Sequence, residues 1–263
     1  MIPPMVEGKP VTEIAKKAAL SCKALRELFL PDTIETVGEW AFAHCSNLRE
    51  VHLPQKELYF GKGAFKECLQ LGRIYAGEEK EEKTAALLAS VPVMLEAEYL
   101  LSPLEAGEAG WLEKLDARLM SLMEKPDREG YSKQILCGEE DLMASLDLYL
   151  LERRKQKARL CYLRLLNDTG LKEEVRSYLT AWLNAHTKGC ESQAAWEVVW
   201  QEHGNEKPYY EAFAQAGCIR EENFDGLLSD LSKEHPEMKA WLLRYREEHM
   251  AKTDFFDSLS LDF

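Results

Sequence analysis

Three cysteines, Cys22, Cys45 and Cys68, recur at intervals of 23 residues, and thiols in register are the first candidates for chemistry in this chain. If the recurrence marks stacked coils, neighbouring thiols lie about 5 Å apart, close enough for a disulfide or a shared metal ion to be considered. Free cysteine is also a small buried hydrophobe, and a repeated column is what packing requires, so all three are expected in the core. A second candidate is HTKGCE (186–191), in which His186 and Cys190 lie four apart, with Glu191 and His203 further on. Zinc needs two well-spaced ligand pairs, and Gly189 interrupts any helix that would align the first pair; the stretch reads as an interhelical loop. FGKGAF (60–65) has two glycines and a lysine without the spacing of a phosphate-binding loop, so it reads as a turn. RRKQKAR (153–159) is the one basic cluster. Within a helix it offers a solvated face to acids of neighbouring helices, an anionic partner being the alternative. No G-x-S-x-G or H-E-x-x-H stretch occurs. The chain is read as no enzyme: no catalytic residue, no cofactor and no metal ligand is assigned.

The elements that hold these residues are constrained first by composition. The chain has 263 residues, of which 46% are hydrophobic and 30% charged, the make-up of a soluble globular protein of one large or two ordinary domains. Seven cysteines cannot all pair within one chain, and none forms a CxxC pair. No basic-then-apolar leader opens the sequence. The expectation is therefore free thiols in a reducing, cytoplasmic compartment; a secreted or surface location is the alternative should a signal precede residue 1. No apolar run nears the roughly 20 residues of a membrane span. The net charge of −13 is uneven: residues 1–77 carry 10 Lys/Arg against 9 Asp/Glu, and the remainder carries 23 against 37. So acidic a surface excludes nucleic acid as a partner, because cationic side chains drive phosphate binding. The shift near residue 78 marks a boundary.

Cutting on the 23-residue period aligns VTEIAKKAALSCKALRELFLPDT, IETVGEWAFAHCSNLREVHLPQK and ELYFGKGAFKECLQLGRIYAGEE. The columns hold Ile14, Val37 and Phe60; Ala18, Ala41 and Ala64; Leu25, Leu48 and Leu71; and Leu28, Val51 and Ile74. So many columns at one period indicate a stacked-repeat fold. In LREVHL, Leu48, Val51 and Leu53 point inward and Glu50 and His52 outward, which suits a short strand pairing in parallel with its copy in the next coil. GEWAFAHC returns along the other side, with Ala41 where coils crowd and Phe42 inside.

The opening IPPMVEGKPVTEI and the AFxxCxxLxxVxLP units that follow resemble the BspA-like leucine-rich repeat family over roughly residues 2–77. The resemblance implies a recognition module, often displayed on bacterial surfaces, with no chemistry of its own. This chain departs from the family in having about three coils and no evident export or anchoring signal. Its first repeat has Ala19 where the others have Phe, and its third has Ala76-Gly77 in place of Leu-Pro. Such erosion is usual in terminal repeats.

The far end of a three-coil stack needs a lid, and EEKEEKTAALLASV (78–91) reads as a helix placed to supply it. A looser stretch from Pro103 to Gly110 precedes a helix whose Trp111, Leu112, Leu115, Leu119 and Leu122 form one face, ended by Pro126. From Glu139 the chain reads as helix hairpins, in which residues 139–166 and 221–249 share an outline. The fold class is α+β: a leucine-rich repeat domain at 1–77, an all-α domain at 78–252 and an apolar, acidic tail at 253–263.

Two sets of residues remain for an interaction. One is the outward column Phe29, His52 and Tyr75, flanked by Glu27, Glu50 and Arg73, where aromatics on a ladder face suit recognition; cover by the chain's own helices is the alternative. The other is the tail, whose Phe255, Phe256, Leu259, Leu261 and Phe263 fit a partner's groove or a sheet edge, or else fold back on the helical domain. The function expected is a non-catalytic, bacterial-type protein-interaction scaffold or adaptor with a protein partner and no membrane. Alternatives are an exported surface-recognition (adhesin) fragment and, from another class, an enzyme with a site between the two parts.

Overall fold

Each 23-residue period closes into one coil that contributes two short strands. In the computed structural model, residues 2–77, 81–131, 145–231 and 234–250 are described. The chain begins with an antiparallel hairpin of β1 (Met5–Val6) and β2 (Lys9–Pro10). Two parallel ladders follow. One joins β3 (Glu13–Ile14), β5 (Thr36–Val37) and β7 (Tyr59–Phe60); the other joins β4 (Glu27–Phe29), β6 (Glu50–Leu53) and β8 (Arg73–Ala76). Leu28, Val51 and Ile74 are register partners, as are Phe29, His52 and Tyr75, so register equals the sequence period. The β3–β5–β7 ladder was visible in the sequence only as the column Ile14, Val37 and Phe60, because two-residue strands are too short to alternate.

The coils also touch through their turns. Ala19 N–H donates to Ala41 O (2.7 Å) and Ser21 N–H to Ala43 O (2.8 Å); Phe42 N–H donates to Ala64 O (2.9 Å) and His44 N–H to Lys66 O (2.8 Å). Each turn needs left-handed backbone at two places, Lys17, Trp40 and Gly63 in one column and Ser21, His44 and Glu67 in the other. Gly38 and Gly61 sit where coils approach most closely: a Cβ on Gly38 would lie 2.6 Å from Lys16 N, and one on Gly61 2.5 Å from Glu39 N. Ala15 holds that column in the first coil, where no preceding coil is present to be struck. Ala41, Phe42, Cys45, Leu48, Val51 and Leu53 are all buried, as the repeat pattern requires, and the Phe42 and Phe65 rings stack at 5.6 Å. Ala18 is exposed at the start of the stack.

Helix α1 (Glu82–Ser90) packs against β8, burying Ala85, Leu87 and Leu88, and so supplies the lid. Its N-terminus is capped by the Glu81 carboxylate, which accepts from Thr84 N–H at 2.6 Å. A π-helical turn (Val91–Leu95) and a 3₁₀ turn (Glu98–Leu100) lead to α2 (Ala109–Met123). The buried face of α2 is the expected one except at its end, where Met123 is buried and Leu122 only half so. These elements form one compact unit, residues 1–126, together with 163–175. Within it Arg164 is fully buried and donates to both Asp116 oxygens (2.6 and 3.2 Å) and to the carbonyls of Asn167 and Thr169 (2.6 and 3.1 Å).

The second unit takes residues 127–162 and those from 176 onward. Its helices come from α3 (Leu146–Leu166) and α4 (Glu173–Ala185), each of which also gives residues to the first unit, and from α5 (Ala194–Glu197) with its π-helical continuation Val198–Glu202, α6 (Lys207–Gln215), α7 (Glu221–Asp230) and α8 (Pro236–His249). Tyr162, Trp196, Tyr210, Phe213 and Phe224 make the core, and Tyr162 donates its hydroxyl to Ala195 O at 3.0 Å. The two stretches of shared outline fold differently. Residues 146–166 form one unbroken helix, whereas 221–249 form two. Pro236 is the reason: it has no N–H to give and opens α8 at its first turn. Glu139 and Glu140 lie outside the described residues.

Candidate protein-recognition face

Strand parity decides which side chains of the β4–β6–β8 ladder face outward. Leu28, Leu30, Val51, Leu53 and Ile74 are buried behind it, so the intervening positions share the other face. The parallel register then places one ring above another. Phe29 and His52 stack at 4.1 Å with planes 2° apart, and His52 and Tyr75 at 5.0 Å and 21°. The column Glu27, Glu50 and Arg73 runs beside the rings. Arg73 lies 3.8 Å from Glu50 and donates from Nε to Glu82 at 2.5 Å, while Glu50 lies 3.9 Å from His52.

The six ladder residues singled out in the sequence are therefore brought together, with unequal exposure. Glu27 and Arg73 are exposed, and Phe29, Glu50 and His52 are half-buried. Tyr75 departs from the expectation of an open aromatic. It is 5% exposed because α1 packs over β8, and its hydroxyl donates to Glu82 at 2.9 Å. Burial, then Glu82, pushes this phenol up to about 12, so it stays a neutral donor. The tail residues Phe255, Phe256, Leu259, Leu261 and Phe263 lie outside the described residues.

Beside the rings opens a cleft of about 470 Å³ lined by Leu30, Asp32, His52, Pro54, Gln55 and Lys56. Lys56 donates to the Asp32 carbonyl of the preceding coil at 2.8 Å, which fixes one wall. Asp32, Gln55 and Lys56 were missed in the sequence. Their signal was their place just after Pro31 and Pro54, where the chain leaves the ladder.

The other candidates resolve into packing. Cys45 donates its thiol to Ala19 O at 3.2 Å and Cys68 to Phe42 O at 3.1 Å, each reaching the preceding coil. All described cysteines are free thiols. Burial pushes the Cys68 thiol up to about 12 and the Cys45 thiol up as well, so neither is a ready nucleophile. His186 stacks on Trp182 at 3.9 Å, with Nδ1 2.8 Å from Trp182 O, while His203 pairs with Glu206 at 2.9 Å. Among the described residues no group of three His, Cys, Asp or Glu is placed to hold a metal ion. The basic cluster pairs with acids, as expected, but it is not the solvated face the sequence suggested, since Lys157 is buried and Arg154, Lys155 and Arg159 are half-buried: Arg154 and Lys157 meet Asp127 (2.9 and 2.8 Å), Lys155 meets Glu197 (3.1 Å), and Arg159 meets Glu152 and Glu202 (2.6 and 2.7 Å). Burial alone would raise the Asp127 carboxyl, but hydrogen bonds from Lys157 and Arg154 bring it below the ordinary aspartate value. Gly61 and Gly63 of FGKGAF belong to the coil turn. No described helix is long and apolar enough to cross a membrane.

Residues 7–85 match the family model described as BspA type leucine-rich repeat region (6 copies). This segment is the coil stack with part of its helical lid; the helical remainder has no such match. No curated protein and no solved structure matches the chain.

Proposed function

We propose that the BspA-type leucine-rich repeat stack of this chain is the recognition element of a non-catalytic protein-interaction adaptor. Stacked repeats build a continuous face from residues at one position of each coil, and repeat regions of this family point to interaction or surface roles. The observation that carries the reading is the ring column. Phe29 and His52 stand half-open on a rigid ladder, with carboxylates on one side and a cleft on the other. Aromatic groups held in this way present area at little entropic cost. The adaptor is assigned to a reducing, bacterial-type cytoplasm, a setting that suits its free thiols. The apolar tail at 253–263 is assigned as a second contact to a protein partner.

The test is affinity capture from the native host with the full chain, comparing wild type with Phe29→Ala and His52→Ala and identifying what co-purifies. Selective loss of one protein from both variants, with melting temperatures held, is expected. An unchanged protein profile would remove the ladder face from consideration.

A further inference from the structure

The helical unit leaves a groove open along its last helix. It runs between α6 and α8, about 510 Å³ in volume, with Ala214 and Gln215 on one wall and Trp241, Tyr245 and His249 on the other. These three rings follow one another at four-residue spacing and stack in sequence, with centroids 5.6 and 4.4 Å apart. Trp241 and Tyr245 are half-buried, and His249 is exposed. On the lip, Arg244 is exposed and makes no ion pair among the described residues, whereas Lys207 pairs with Glu211 (2.7 Å) and Arg246 with Asp225 (3.6 Å).

The sequence that follows α8 matches this groove in pattern, length and charge. Phe255, Leu259 and Phe263 repeat the four-residue spacing of Trp241, Tyr245 and His249, and Phe256 joins the same helical stripe. Each set runs over eight residue steps, about 12 Å of helix. Asp254, with Asp257 in the first turn, supplies a helix start. Residues 250–254 are then the turn, a length within the two to five residues that join antiparallel helices. The stretch 254–263 carries three aspartates and no cation, the complement of an unpaired Arg244.

We infer that in the free chain residues 254–263 fold back as a helix antiparallel to α8. Phe255, Leu259 and Phe263 lie in the groove along the rings of His249, Tyr245 and Trp241 respectively. The short turn makes this docking intramolecular and favours the chain's own groove over that of a second copy. The inference goes beyond the partner contact proposed for the tail, which then forms only when a partner draws the tail out of the groove.

The test places benzoylphenylalanine at position 263 of the purified full chain, irradiates it across a dilution series and maps the products by tryptic peptide mass spectrometry. Crosslinks to the peptide 240–244, which holds Trp241, are expected, in a yield independent of concentration. The same residue at position 255 is expected to reach the peptide 247–252 instead, because the two helices run in opposite directions. Leu259→Asp, which leaves the described core untouched, is expected to abolish the crosslink from position 263. A yield that rises with concentration and joins two copies would overturn the inference. So would crosslinks from position 263 that miss both walls of the groove, or an unchanged yield in Leu259→Asp. Position 263 marking a partner in the native host but no groove peptide in the purified chain removes the docking and leaves the partner contact standing. The converse result keeps the docking and removes the partner contact.

Discussion

Replacing Gly38 by alanine tests how closely the coils approach. The added Cβ would lie 2.6 Å from Lys16 N and 2.9 Å from both Ala15 C and Ile14 O, all backbone, where ordinary contact begins at 3.4 Å. Side chains cannot turn aside to relieve this, so the coils must part locally. Gly38 N–H donates to Ile14 O at 2.8 Å and Lys17 N–H to Glu39 O at 3.0 Å. A shift that opens 2.6 Å to 3.4 Å stretches at least one of these beyond the ~3.2 Å limit of a normal bond. Overpacking costs about 1–3 kcal/mol and each lost bond about 0.5–1.5 kcal/mol. Gly38→Ala is therefore expected to destabilise the stack by about 2–4 kcal/mol. Urea unfolding supplies the magnitude, and hydrogen exchange at Lys17 and Gly38 should show loss of protection localised there. Ala15→Gly, in the same column but at the open end of the stack, should cost less than about 1 kcal/mol. Glycine-to-alanine changes ordinarily stabilise by about 0.4–1 kcal/mol through the unfolded chain, so a neutral or stabilised Gly38→Ala would refute the packing argument in sign as well as size.

Removing Asp116 strands the buried Arg164 guanidinium, so Asp116→Ala should lower unfolding free energy by about 3–5 kcal/mol; Asp116→Leu with Arg164→Met should recover part of that loss in the same denaturation assay. Native-state alkylation with iodoacetamide, mapped by peptide mass spectrometry, should modify the half-exposed Cys22 and Cys190 and spare the buried Cys45, Cys68, Cys161 and Cys218. His186 is held below its ordinary value of 6.5, first by burial and then by Arg154 and Lys157, against the opposing pull of the Trp182 carbonyl and Asp127. Because the unfolded chain takes up that proton first, the contribution of His186 is present above about pH 6.5 and lost as pH falls through the folded value. A series of urea midpoints from pH 7.5 to 5 should therefore fall less steeply in His186→Gln than in wild type.

The β4–β6–β8 ladder was legible because LREVHL alternates and its columns recur every 23 residues, which sets both the buried side and the register. What stayed hidden depends on contacts distant in sequence. Two-residue strands such as β5 carry no alternation of their own, so their pairing emerges only when coils stack. Gly61 reads as a turn residue within FGKGAF and Gly38 as part of the returning GEWAFAHC; the reason for both glycines is the backbone of the coil before. Tyr75 has the sequence environment of Phe29 and His52, and its burial follows from α1, whose docking no local pattern encodes. Arg164 and Asp116 are 48 residues apart and look like ordinary surface charges on amphipathic helices. The division of 221–249 at Pro236 is written in the sequence itself, since proline opens a helix and does not continue one.

The recognition face is tested most directly by placing a photo-crosslinking benzoylphenylalanine at position 29 in the native host, with the same residue at Tyr59 as a comparison on the other ladder. Tyr59 is 68% exposed and so at least as accessible as Phe29. The ring column predicts a discrete crosslinked protein from position 29 that position 59 does not give. Crosslinking of the same proteins from both positions, or none from position 29 while the partner is still captured, would contradict it.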